Sequence, residues 1–221
     1  MFGRIPPLEF LSAQLLVLFL AIGIHEYAHC KFADLAGDPT PRYYGRVTLN
    51  LFKHFEPIGT MMMVITSLAG FGIGWGRAAP ADPSKMRNPR WDFFTSVLAG
   101  PMSNLIQAFL FAIVLRLTLA SGAFNGMPVF AQYFLLMGVL LNLAIMCFNL
   151  IPFGPLDGHW LVGLLLPERP RLTWFQFNRG IGMFGLFIVV ILLQRAGISI
   201  TRGPVEFFFA RLTGVRLQDI L

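Results

Sequence analysis

Charge is scarce in this chain. Only 13% of its 221 residues are Asp, Glu, Lys or Arg, about half of the quarter that soluble domains carry. That shortage excludes an ordinary water-soluble globule. Cysteine is scarcer still, with two residues, Cys30 and Cys147, both in or beside apolar segments, so a disulfide framework is excluded. On a helix Cys30 points away from the face of the neighbouring His29 and reads as packing filler. Acidic residues number 11 against 17 basic, a net charge of +6. The cations are scattered over several loops with no aromatic and basic module between them, which argues against nucleic acid and for loop charge that orients a membrane protein and meets lipid headgroups. Internal repeats and low-complexity tracts are absent. A cleavable signal peptide is not expected either, because the first apolar run continues into the most distinctive motif of the chain.

What the chain has in quantity is apolar surface. Hydrophobic residues make up 56% of it, 23 of them Phe, and the mean hydropathy is +0.67. A polytopic membrane protein of a single domain over residues 1–221 is the class that fits. Five apolar segments stand out: about 8–32, 58–75, 93–120, 129–151 and 181–193. The expected architecture is an all-α bundle of about four to six transmembrane helices. Between the first two segments, Gly45 to Leu51 alternates polar and apolar as a strand would, so a small membrane-associated β region is expected there. The tail from Gln194 to Leu221 reads as an amphipathic helix along the interface.

Loop charge bears on how these segments cross. Lys31, Arg42, Arg46 and Lys53 lie between the first and second segments, and Arg77, Lys85, Arg87 and Arg90 between the second and third. A full crossing by segment 58–75 would put the two basic loops on opposite sides, against the positive-inside tendency. That segment contains Gly59, Gly70, Gly72 and Gly74 and is expected to be re-entrant. Both basic loops then face the cytoplasm, and the neutral stretch Ser121 to Pro128 faces out.

His25-Glu26-Tyr27-Ala28-His29 ends the first apolar run, in which Leu8 to Ile24 carry one charge, Glu9. Four residues apart on a helix, His25 and His29 face one side and can hold one zinc ion, with Glu26 placed to take a proton from an activated water. Ionisable groups at membrane depth are costly and mark function. A catalytic zinc needs a third protein ligand. His54, His159, Asp34, Asp38, Glu56, Asp82, Asp92, Asp157 and Glu168 are the candidates. Asp157 stands out by context, because Pro152 and Pro155 forbid a regular helix before it and Gly158 permits a sharp turn after it. Such a broken segment can turn a carboxylate inward.

The HEYAH helix together with Asn149-Leu-Ile-Pro-Phe-Gly-Pro-Leu-Asp-Gly158 resembles the site-2 protease family of intramembrane zinc metalloproteases. Further blocks resemble its compact bacterial members in the same order: GRVTLNLFKHFEPIGT, GWGRAAPADPSKMRNPRWD and LAGPMSNLIQA. The resemblance implies that His25, His29 and Asp157 bind one Zn2+, that Glu26 activates water, and that Asn149 holds substrate or the developing oxyanion. It implies hydrolysis of peptide bonds in transmembrane protein substrates, in the inner membrane of a bacterium with the active site towards the cytoplasm. Leu51 stands where the family's strand block usually has proline. Nothing in the chain resembles a PDZ or CBS module, so regulation by one is not expected within it. Asn104 divides evenly between packing and site support, and Gly100 with Pro101 reads as a place of close helix approach. A zinc-binding transporter and a non-catalytic scaffold are the alternatives. The lack of paired repeats argues against the first, and the retained Glu26 against both. The oligomeric state is left open.

Overall fold

The computed structural model describes residues 6–68, 74–195, 199 and 201–219. Eight α-helices follow one another among these residues: α1 (Leu8–Leu35), α2 (Thr40–Tyr43), α3 (Pro57–Leu68), α4 (Pro89–Ala120), α5 (Val129–Asn149), α6 (Asp157–Leu165), α7 (Glu168–Arg195) and α8 (Arg202–Thr213). Three of them, α1, α4 and α5, are long and apolar enough to cross a membrane. At about 1.5 Å per residue, the shortest of the three matches the ~30 Å hydrocarbon core. Their ends follow local chemistry. Asn88 caps α4 by accepting the Trp91 N–H, Pro89 occupies its first turn and Asp92 lies at its positive end. Pro128 precedes α5, and Gly122 takes a positive φ after α4.

These three helices pack against one another as the frame of the molecule. Gly138 of α5 lies so close to Phe111 of α4 that a Cβ would stand 2.3 Å from the ring, the small-residue contact by which membrane helices approach. Ala108, Ala112 and Leu115 of α4 meet Leu135, Leu136, Val139 and Leu143 of α5. The tail joins this core. Phe209 of α8 is fully buried in it beside Val205, while Phe207 of the same helix is exposed.

Helix α3 has 12 residues and is too short to cross at about 18 Å. Phe55 before it and Gly76 after it form an antiparallel bridge, the Arg77 N–H donates to the His54 carbonyl (2.7 Å), and Trp75 packs on Gly59. The flanks of the segment, residues 54–56 and 75–77, therefore lie together; residues 69–73, with Gly70 and Gly72, fall outside the described residues. The two basic loops share one end of the bundle. Arg87 donates to the Leu35 and Ala36 carbonyls, the Asp82 N–H donates to Asp38 (2.6 Å), and Lys85 reaches Thr40 (3.0 Å). Residues 121–128 sit at the other end of α4.

One expectation needs correction. Residues 45–51 do not form a strand, and no strand occurs among the described residues. Gly45 takes φ +63°, the Thr48 hydroxyl accepts the Asn50 N–H, and Leu51–His54 form a 3-10 turn. Alternation without a partner strand gives way to these local turns. Among the described residues three helices, α1, α4 and α5, meet the length and composition of a span, which gives three of the expected four to six. The last apolar segment falls in α7, which Gly182 interrupts with φ +56°, and much of its side-chain placement lies outside the described residues.

Candidate metal centre

His25 and His29 lie one turn apart on the buried side of α1, with Nε2 atoms 3.0 Å from each other. Asp157, the first residue of α6, brings Oδ2 to 3.3 Å from His25 Nε2 and 3.4 Å from His29 Nε2. Helix α5 stops at Asn149, the Pro152 and Pro155 stretch runs without regular helix, and α6 starts at the aspartate. Pro152 and Pro155 thus act as expected. Gly158 acts differently: its φ is not positive, but a Cβ there would strike the Leu150 and Ile151 carbonyls at 2.4 Å. The glycine lets the helix start lie against its own loop.

Three donor atoms in a triangle of 3.0 to 3.4 Å match a zinc site, since donors ~2.0–2.1 Å from a tetrahedral ion stand about 3.3 Å apart. Asp157 Oδ2 is buried and has no hydrogen-bond partner, a costly state that a cation relieves. These three residues are the one metal-capable cluster among the described residues.

The other ring nitrogens are committed. His25 Nδ1–H donates to Asn104 Oδ1 (2.7 Å) and His29 Nδ1–H to the Ser96 carbonyl (2.8 Å), which leaves both Nε2 lone pairs facing Asp157. The Asn104 amide is oriented in turn, because its nitrogen donates to the Ala21 carbonyl (3.2 Å) and to Asn142 Oδ1 (3.0 Å). The Asn142 nitrogen donates to the Gly138 carbonyl (2.8 Å). One polar chain thus runs from α5 through α4 to the α1 histidine. Gly100 makes room for it: a Cβ would lie 2.2 Å from His29 Nε2.

Glu26 lies on the neighbouring face of α1, where Gly76 covers it; a Cβ at 76 would stand 2.8 Å from Glu26 Cγ. Around this contact, Arg46 is buried and donates to the Arg77 carbonyl. Burial lowers the Arg46 pKa, against the pull of Cys30 and Glu26. His54 is fully buried with Nε2 on the Thr48 carbonyl (2.9 Å), and burial keeps its imidazole below the ordinary value. It stands outside the metal cluster. So does His159, whose Nδ1 faces the Leu156 carbonyl (2.6 Å). Asn149 is half-buried at the end of α5, its amide nitrogen on the Ile145 carbonyl (3.0 Å).

Of the residues read from the sequence, His25, His29 and Asp157 are brought together, and Asn104 proves to be a site partner. Asn142 is not among the residues read from the sequence, although a lone amide within the apolar run 134–148 is itself a signal. The Ser96 carbonyl carries no signal at all in the sequence.

Comparison with known proteins gives two relatives. YwhC of Bacillus subtilis, a candidate zinc metalloprotease, is 32% identical over 192 residues, covering 84% of this chain and 82% of that protein. Rip2 of Mycolicibacterium smegmatis, also a candidate zinc metalloprotease, is 27% identical over 216 residues, covering 96% and 79%. No family model and no solved structure matches the chain.

Proposed function

This chain belongs to the site-2 protease family of zinc metalloproteases, and we propose that it hydrolyses peptide bonds in or beside the transmembrane segments of other membrane proteins. The observation that carries this reading is the His25, His29 and Asp157 triangle with Glu26 next to it, inside a bundle of apolar helices. Zinc held by those three residues supplies Lewis-acid activation of water and of the scissile carbonyl. Glu26 accepts the proton of the attacking water and returns it to the departing amine nitrogen. Asn149 exchanges its bond to the Ile145 carbonyl for one to the developing oxyanion, a contact worth ~3 kcal/mol in other hydrolases. A substrate helix has to unwind before its carbonyl reaches the site, because helical carbonyls are already bonded within the helix. The membrane is the cell membrane of a bacterium, and the basic-loop end, which carries the site, faces the cytoplasm. Substrates and lipid are the partners; nucleic acid is not one.

The test is metal content and cleavage of a transmembrane reporter by protein purified in detergent. Wild type is expected to hold about one zinc per chain and to lose cleavage on chelation, with zinc restoring it. Glu26→Gln keeps the metal and loses cleavage by several orders of magnitude. Asp157→Ala loses the metal. Wild type that holds no zinc even after reloading refutes the reading, as does a Glu26→Gln variant that still cleaves.

A further inference from the structure

Asp157 is presented by a weak support. The loop before it has no regular backbone, and α6 behind it is a nine-residue helix, too short to be stable alone. Two side chains of α7 hold this support from either side. Before the aspartate, Asn178 Oδ1 accepts the Gly154 N–H at 2.7 Å. The amide is oriented by its own nitrogen, which donates to the Trp174 carbonyl at 3.0 Å, and Asn178 is buried. After the aspartate, Trp174 Nε1–H donates to the His159 carbonyl at 2.8 Å. The two helices also lie close, since a Cβ on Gly163 of α6 would stand 2.5 Å from the Phe175 ring and 2.9 Å from that of Trp174.

We propose that Asn178 and Trp174 are positioning residues for the metal centre, clamping the chain at Gly154 and His159 so that the Asp157 carboxylate is held against the two histidines. This rests on the reading of Asp157 as the third zinc ligand. Neither side chain touches the metal cluster. They remove the freedom of the residues on both sides of the ligand, which metal binding would otherwise have to freeze at a cost in conformational entropy. Preorganisation of this kind appears as tighter and slower-releasing metal, because the ordering cost falls on folding and not on binding.

The experiment follows transfer of zinc from full-length, detergent-purified protein to a chromophoric chelator, alongside the visible absorption of cobalt-substituted protein. Trp174→Phe keeps the ring and deletes only the donor; Asn178→Ala deletes the acceptor. Both are expected to release zinc about tenfold faster than wild type, the lower end of what lost support around metal ligands costs, and to shift the cobalt band. Phe209→Ala, in α8 where it packs on α4 and α5, serves as the control for general loosening and is expected to release metal at the wild-type rate. Folded Trp174→Phe that releases zinc at the wild-type rate overturns the clamp even where Asn178→Ala fails to fold. Phe209→Ala releasing metal as fast as Trp174→Phe overturns it too. Asp157→Ala that retains zinc refutes the ligand reading itself, an outcome separate from either.

Discussion

A methyl group at position 100 would stand 2.2 Å from His29 Nε2 and 2.8 Å from His25 Cε1, closer than any real carbon contact. Gly100→Ala therefore has to displace both rings or push α4 from α1. The expected result is loss of most bound zinc, with a destabilisation of ~1–3 kcal/mol typical of overpacking, measured by metal analysis and thermal unfolding in detergent. An alanine variant with full zinc content would show that the rings have another place to go. The contrast with Asp157 explains what the sequence discloses at this scale. HExxH carries its chemistry in residue identity and spacing, so His25, Glu26 and His29 are legible in a single line of text. The aspartate is legible through the prolines and glycine around it. Ser96 serves through a backbone carbonyl that every residue possesses, and only the packing of α4 on α1 gives that carbonyl a task.

Among the elements, α8 divides its aromatic residues between the bundle and the outside. Phe207 to Phe209 beside Arg211 fits an interfacial helix in sequence, but Phe209 and Val205 face the α4 and α5 core while Phe207 stays exposed. Phe209→Ala is expected to cost about 3 kcal/mol, the low end for a buried Phe, seen as a lower unfolding temperature with zinc stoichiometry unchanged. Loss of zinc with the tail would mean that α8 supports the site as well as the frame. The missing strand teaches the opposite lesson. Residues 45–51 have the period of a strand but no neighbour to pair with, and the Thr48 hydroxyl and the His54 ring satisfy the backbone locally instead. The long apolar helices were readable because length against bilayer thickness is a one-body property. Pairing and docking depend on a second element, which periodicity does not report.

For the whole molecule, the joining of residues 35–40 to 82–87 fixes both basic loops at one end. Single cysteines at Tyr43 and Lys85 are expected to react with a membrane-impermeant maleimide on the same side, and one at Asn125 on the other. Labelling of positions 43 and 85 from opposite sides would require segment 58–75 to cross. The bridge between Phe55 and Gly76 brings the two flanks of segment 58–75 together, an arrangement compatible with the loop-charge expectation. The division of the metal ligands between α1 and α6 has a consequence in time. The histidines leave the ribosome early, and their carboxylate partner follows roughly 130 residues later, on the order of ten seconds at ordinary synthesis rates. Until Asp157 follows, the two histidines lack the carboxylate that closes the donor triangle.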